Sequence, residues 1–472
     1  MTVGDSRDEY AGLAPEPAGR VIERALRGGG DAAELFVEER HSLSLRLEDG
    51  RIENAVSGSD LGGSVRVIRG LSTVFGYVDS VEEKALLGLA EDLSRSDGPQ
   101  GEVVTPVTLQ RAGEKQTVRV DPAEVGVSAK AGLLHLADET ARGVSGEVRQ
   151  VVVAYGESRQ RIWVAGSHGR LAADDRTRVM MSVTVMAERD GLIQTGRDTL
   201  AHHGGFELLP EKAVAELARG AARTAVTMLD SRPAPAGRMP VILAKGFGGV
   251  LFHEACGHGL EADFILKKSS VWEGRIGQRV AGEHVFAYDD GIGGGLWGSC
   301  GCDDEGTPCR RTTLIEAGVL TSFLSDRLRA SQLDLPLTGN GRRQDYRYVP
   351  YPRMTNTYFG PGPHTSAGLI ADTPRGLYAK SLAGGEVNPA TGDFVFAVSE
   401  GYLIEGGEVT TPVRGATLIG NGLEVLKGID AIADDLEVEA GTCGKEGQGV
   451  PVGTGQPTLR IRELTVGGTS LS

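Results

Sequence analysis

The sequence predicts an α+β protein in two parts: an N-terminal α+β domain built on an antiparallel sheet, and a C-terminal, mostly antiparallel β domain carrying a distorted metal-binding helix. Three observations predict this. Amphipathic helical stretches alternate with strand-like runs only before about residue 230. Beyond it, short apolar runs are separated by glycine-rich turns, and glycine, at 69 of 472 residues, is about twice its usual ~7% share without any period. Between the two lies Ser231-Arg232-Pro233-Ala234-Pro235-Ala236-Gly237, whose prolines break regular structure and stiffen a connection. The expected domains are therefore 1–230 and 231–472.

In chain order, a helix is expected over Pro17 to Leu26, then strands over Ala33 to Glu38, Leu43 to Leu47 and Ser64 to Ile68, with a turn at Glu48-Asp49-Gly50. A second helix falls near Val81 to Leu93, and the polar stretch from Ser94 to Lys115 lacks a period and reads as a loop or hinge. A helix from Pro122 to Arg142 precedes strands at Arg149 to Tyr155, Arg161 to Ala165 and Arg178 to Ala187. From Pro210 to Leu229 the apolar residues Val214, Leu217, Ala218, Ala221, Ala225 and Met228 recur at helical spacing, with proline suited to the first turn. Pro240 to Ala244 reads as a buried strand.

Lys and Arg total 49 against 64 Asp and Glu, a net charge of -15, which repels nucleic acid and anionic lipid. The most apolar stretch, Val241 to Phe252, is interrupted by Lys245 and glycines and is too short to span a bilayer. Residues Met1 to Tyr10 have neither a basic start nor an apolar run, so the expected location is cytoplasmic. The five cysteines are too few for a secreted disulfide framework and are expected to be reduced thiols, some of them metal ligands.

The chemistry concentrates in His253-Glu254-Ala255-Cys256-Gly257-His258, expected on a helix from Val250 to Glu261. Zinc peptidase helices space their histidines by four, which places both on one face. Here the spacing is five, and a regular helix would turn the second imidazole about 140° from the first. One π-turn absorbs the extra residue, and Gly257 and Gly259 ease the distortion. A regular helix would instead leave two unrelated core histidines. A catalytic zinc takes three protein ligands; Cys443, in a glycine-rich loop, is a candidate third, with an idle thiol as the alternative. Glu254 is the candidate base. Cys300, Cys302 and Cys309 lack a fourth ligand at useful spacing and read as incidental thiols in a turn-rich loop; Cys256 reads as packing and His202-His203 as a loop pair.

The segments His253 to Asp263, Asp303-Asp304-Glu305-Gly306, Thr338 to Arg343, Pro352 to Thr357, and Cys443 to Gln448 through Val452 to Leu459 together resemble the TldD branch of the TldD/PmbA metallopeptidases. The likeness extends more loosely into the N-terminal half, through its strand and helix pattern and Gly204-Gly205-Phe206-Glu207. It implies a Zn2+ held by His253, His258 and Cys443, with Glu254 moving the proton. Asn340, Arg342 and Arg343, with Arg353 and Asn356, are candidates to grip substrate or stabilise an oxyanion, a structural salt-bridge network being the alternative. The resemblance also implies a heterodimer with a metal-free TldE/PmbA-type subunit, enclosing a chamber that admits unfolded or extended peptides. Two other functions stay open: a dedicated biosynthetic peptidase maturing a natural-product or modified peptide precursor, and a non-catalytic assembly or regulatory subunit. Retention of all four site residues argues against the last.

Overall fold

The computed structural model describes residues 14–70, 72–95, 108–109 and 116–468. The chain is α+β with mainly antiparallel sheets, the class expected. Most of the expected loop from Ser94 to Lys115 lies outside the described residues.

The N-terminal half opens with helix α1 (Pro15–Leu26), which starts on a proline and buries Ala18, Val21, Ile22, Ala25 and Leu26. Strands β1 (Ala32–Glu48), β2 (Arg51–Arg69), β3 (Ser72–Val78), β4 (Thr108–Leu109), β5 (Val148–Gly166), β6 (Arg170–Arg189) and β7 (Leu192–His203) form one sheet. The order is β3-β2-β1-β5-β6, with β4 and β7 both on β6. Helices α2 (Glu83–Ser94), α3 (Val127–Arg142) and α4 (Glu211–Met228) complete the layer. The β1–β2 turn sits where Asp-Gly was expected, with Asp49 at φ 47° and Gly50 at φ 74°. Two consecutive left-handed residues match the twist of a tight hairpin. Asp190 (φ 52°) and Gly191 (φ 81°) do the same between β6 and β7.

Strand alternation assigns the two faces of this sheet. On β1, Leu35 and Val37 pack with α1 and α2, and Leu45 and Leu47 with α3 and α4. Glu34, Phe36 and Glu38, of opposite parity, turn to the C-terminal half: Glu34 pairs with Arg343, Phe36 lies under the Arg343 guanidinium and Glu38 accepts from the Tyr346 N–H.

The C-terminal strands are β8 (Arg232–Pro233), β9 (Gly237–Leu243), β10 (Ala287–Asp290), β11 (Arg311–Glu316), β12 (Val319–Leu320), β13 (Gly341–Arg342), β14 (Tyr351–Pro352), β15 (Asn356–Phe359), β16 (Arg375–Val387), β17 (Asp393–Glu405), β18 (Glu408–Arg414), β19 (Thr417–Asn421), β20 (Ile429–Ile432), β21 (Glu437–Lys445), β22 (Gln448–Gln456) and β23 (Leu459–Gly467). One sheet runs β12-β11-β10-β15-β22-β21. In the other, β16, β9, β23, β19 and β17 pair in a closed ring, so a curled sheet has no free edge among these five. Residues 250–260 run against both: Val250, Leu251, Phe252, Ala255 and Leu260 share a core with Phe359 of β15, Leu377 of β16 and Phe396 of β17. The proline-rich segment after α4 is extended, yet it is not a free linker. Arg232 and Pro233 pair in parallel with Val413 and Arg414, and the Ala234 N–H donates to the Arg414 carbonyl.

The two halves meet across buried charge. Arg66 of β2 reaches Glu34 at 3.0 Å and Glu305 at 2.5 Å, and Arg176 of β6 reaches Asp304 at 2.8 Å. Glu38 sits in this seam with no exposure. Burial dominates and pushes its carboxyl from 4.5 up to about 7, against hydrogen bonds from Gln160 and the Tyr346 N–H. A carboxyl whose folded pKa is raised contributes stability that is complete below its unfolded pKa and lost as pH rises through the folded one. The stability of the wild type relative to Glu38→Gln, neutral at every pH, is therefore expected to fall between pH 5 and pH 8. Melting temperatures of both proteins across that range check this; parallel curves would refute it.

Candidate metal centre

The segment carrying the histidines is not a regular helix. A single α-turn, Val250–Phe252, passes into a π-turn over His253–Gly257 and then a 3-10 turn over His258–Leu260. The His258 N–H donates to the His253 carbonyl, five residues back, the bond expected of the His-x4-His spacing. The glycines serve packing more than flexibility. Gly257 has an ordinary helical backbone, φ -55° and ψ -51°, but a Cβ there would lie 2.2 Å from Met354 Sδ. At Gly259 a Cβ would meet the Trp272 ring at 2.5 Å, and at Gly249 the backbone of Gly455 at 2.4 Å.

The π-turn brings the two imidazoles together with ring centroids 5.1 Å apart. Cys443, on β21, meets them from the opposite side: its Sγ is 3.4 Å from His258 Nε2, and one ligand atom from each of the three residues lies within 4.8 Å of the others. All three are buried. Metal–sulfur and metal–nitrogen bonds of about 2.3 and 2.0 Å place tetrahedral ligand atoms roughly 3.3–3.7 Å apart, so the residues fit a small tetrahedral ion with little movement. His253 Nδ1 is buried without a hydrogen-bond partner.

The local charges favour the ligand form of the cysteine. Burial alone would raise the Cys443 thiol, but the His253 and His258 imidazoles outweigh it and hold the group well below the usual thiol range. Burial likewise works to lower His258, and Glu261 and Cys443 overcome it, holding the imidazole well above its ordinary value. The thiolate is the form that binds metal.

Glu254 lies on the open side, with its side chain 28% exposed and Oε2 3.9 Å from His258 Nε2. A second carboxylate went unassigned in the sequence reading. Glu261 Oε2 is 3.0 Å from His258 Nδ1 and 2.8 Å from Lys445 Nζ, while Asp263 accepts from the same ammonium at 2.7 Å. Burial pushes the Glu261 carboxyl up, but Lys445 and His258 draw it down to about 2. The signal was in the spacing: Glu261 follows His258 by three, and Lys445 shares a strand face with Cys443.

The five residues expected to grip substrate are all buried, at 4% exposure or less, and their polar atoms turn into the protein. Asn340 donates to Asp289 and to the Arg353 carbonyl, Arg342 to the Met354 and Pro451 carbonyls, and Arg343 to Glu34 and the Asp304 carbonyl. Arg353 donates to the Cys443 carbonyl, and Asn356 to the Asp290 carbonyl and Ser299. In this structure their hydrogen bonds are made within the protein, Arg353 on the strand that carries Cys443.

The cysteines also differ from expectation. Cys300 and Cys309 form a disulfide, leaving Cys256, Cys302 and Cys443 free. The pairing follows from a tight turn in which Asp303 accepts from the Glu305 and Thr307 N–H groups and Cys302 bridges Pro308. That brings the Cα atoms of 300 and 309 to 6.2 Å, within disulfide reach. Cys256 packs in the core, as expected. His202 and His203 are not in a loop; they end β7, paired with Val179 and Arg178.

Two imidazoles and a thiolate make up a buried set able to hold a metal ion, with a partly exposed carboxylate beside it. The chain matches family profiles described as PmbA/TldA metallopeptidase domain 1 over residues 33–96, central domain over 120–229 and C-terminal domain over 236–468. It is 40% identical over 93% of both chains to a protein of Haemophilus influenzae named "Metalloprotease TldD homolog". It is 36% identical, over 52% of this chain and 54% of the other, to a Saccharolobus solfataricus "Zinc metalloprotease TldD homolog". The crystal structure of TldE from Thermococcus kodakarensis has the same fold, with a TM-score of 0.78 and 19% identity over 96% of this chain and all of that one. The chain belongs to the PmbA/TldD metallopeptidase family.

Proposed function

We propose that this protein is a zinc-dependent peptidase that hydrolyses unfolded or extended peptides within a TldD/TldE-type heterodimer. The observation that carries the reading is the convergence of His253, His258 and Cys443 beside the partly exposed Glu254. A thiolate with two imidazoles suits zinc, which tolerates mixed N/S ligands and tetrahedral geometry. Bound there, zinc supplies Lewis acidity towards a carbonyl oxygen and lowers the pKa of water. Glu254 accepts the proton of the attacking water and returns it to the leaving amine. Glu261 fixes the His258 ring by taking its Nδ1 proton in a hydrogen bond, so that Nε2 remains the ligand atom.

The substrate class rests on β21. Among the described residues it is the end strand of the six-stranded sheet, its one pairing there is with β22, and it carries Cys443. An extended peptide added along its outer edge is held by main-chain hydrogen bonds and runs past the centre, which favours unstructured chains over folded ones. Residues 1–230 supply peptide access and contacts with a TldE/PmbA-type subunit. No helix among the described residues is long and apolar enough to cross a membrane, and the proposed location is the cytoplasm.

The test is metal content and peptide cleavage of the purified chain, alone and with a TldE-type partner, beside Cys443→Ala. One zinc per chain and cleavage of unfolded peptides are expected of the wild type. Cys443→Ala is expected to lose both. A wild type that holds no zinc and cuts nothing in either state overturns the reading.

A further inference from the structure

The three ligands come from two elements distant in sequence, and a second connection between those elements runs beside them. Lys445 follows Cys443 by two residues on β21, so its side chain leaves the same strand face. Its ammonium is buried, with 5% side-chain exposure, and donates to Glu261 at 2.8 Å, Asp263 at 2.7 Å and the Pro352 carbonyl at 3.1 Å, lying over the Phe264 ring at 4.6 Å. Glu261 in turn meets His258 Nδ1 at 3.0 Å, and His258 Nε2 meets Cys443 Sγ at 3.4 Å. The path is closed: from Cys443 along its strand to Lys445, through Glu261 to His258, and back to Cys443. Every member is buried, so bulk solvent screens these bonds little, and each charge depends on the others.

We propose that Lys445 is a positioning residue for the metal centre: acting through Glu261, it sets the orientation of His258 and ties that ligand to the strand carrying Cys443. The inference rests on the metal-centre reading above and adds to it a residue outside the ligand set. Two features of the path give Lys445 this role. Glu261 has one carboxylate oxygen shared between the imidazole and the ammonium, while its Oε1 has no partner. Without Lys445 the imidazole is the one side-chain hydrogen-bond partner left to that carboxylate among the described residues, so its hold on His258 is weaker. Asp263 also draws the ammonium, so Lys445 is held at both carboxylates and cannot follow the imidazole alone. The outcome is a pre-formed pair of ligands whose separation is fixed before an ion arrives, which reduces the ordering cost of binding.

The experiment is a double-mutant cycle on zinc affinity. The dissociation constant is measured by competition with a chromophoric chelator for wild type, Lys445→Met, Glu261→Gln and Lys445→Met/Glu261→Gln. Circular dichroism and melting of the metal-free proteins are recorded alongside. Because Lys445→Met leaves two buried carboxylates uncompensated, the double variant, which removes one of those charges as well, keeps the cycle readable if the single variant folds poorly. Lys445→Met is expected to weaken zinc about 10- to 100-fold, the range for residues that orient a ligand from behind. The double variant is expected to lose no more than Glu261→Gln alone, because both act on one path. Cobalt(II) bound to the variants is expected to keep its thiolate charge-transfer band with altered d–d bands, a ligand-field change that loss of stability alone does not produce. Wild-type affinity in Lys445→Met, or losses that multiply in the double variant, overturn the inference and leave the metal centre standing. Absence of zinc binding by the wild type overturns both.

Discussion

Glu254→Gln is expected to keep one zinc per chain and to lower kcat for peptide cleavage by about 10²- to 10⁴-fold, the range for loss of a general base. The separation of the two effects follows from where the side chain sits. Glu254 is not among the three converging ligands, and its side chain is 28% exposed. Glutamine therefore fits without a buried cost, while losing the ability to take a proton. At about 1.4 kcal/mol per decade, the deficit corresponds to roughly 3–5 kcal/mol of transition-state stabilisation. Metal analysis and steady-state kinetics on one preparation check it. A glutamine variant within threefold of wild type would mean that another group accepts the proton.

Arg343→Met is expected to destabilise the fold by about 3–5 kcal/mol, the range for removing one partner of a buried ion pair, with Arg66 left as the one cation on Glu34. Arg343 is 3% exposed and joins Glu34 of the N-terminal sheet to the Asp304 and Tyr348 carbonyls of the C-terminal half, with its guanidinium 4.3 Å from the Phe36 ring centre. Methionine keeps the apolar stem and removes every one of these bonds. Arg149→Met serves as the contrast. Its partner Glu188 is at 3.2 Å, but the side chains are 55% and 39% exposed, and water screens such a pair to within ~1 kcal/mol. Urea unfolding of the two variants checks the difference, and equal midpoints would mean that the seam contributes little.

Local rules in the sequence carried much of this molecule. The five-residue spacing of His253 and His258 conflicts with a regular helix if both face one point, and the π-turn resolves the conflict in the only way that adds a single residue. The Asp49-Gly50 turn was legible because two left-handed residues in a row demand such a pair. The same rule at Asp190-Gly191 announced β7, which was missed because Leu192 to His203 mixes polar and apolar residues along a half-buried strand. What could not be read was distance between remote segments. Arg353 reads as a candidate to grip substrate, and its contact with the Cys443 carbonyl, 90 residues away, is not visible in the sequence. Cys300 and Cys309 look idle until the Asp303 turn closes. Glu261 gains its role only when Lys445 arrives from 184 positions along the chain. Each of these depends on tertiary approach, which residue type and periodicity do not encode.

The separation of His258 and Cys443 by 185 residues also has a consequence for the order in which the molecule is made. Ribosomes add about 5–20 residues per second, so the histidine pair leaves the exit tunnel roughly 10–40 s before the cysteine does. Throughout that interval the nascent chain carries two of its three ligands, and Glu261 has no Lys445 to hold it. The set of three ligands is complete only once β21 has emerged and paired with β22. Under the proposed peptidase function, a growing chain therefore carries no complete centre with which to cut itself or its neighbours on the same message.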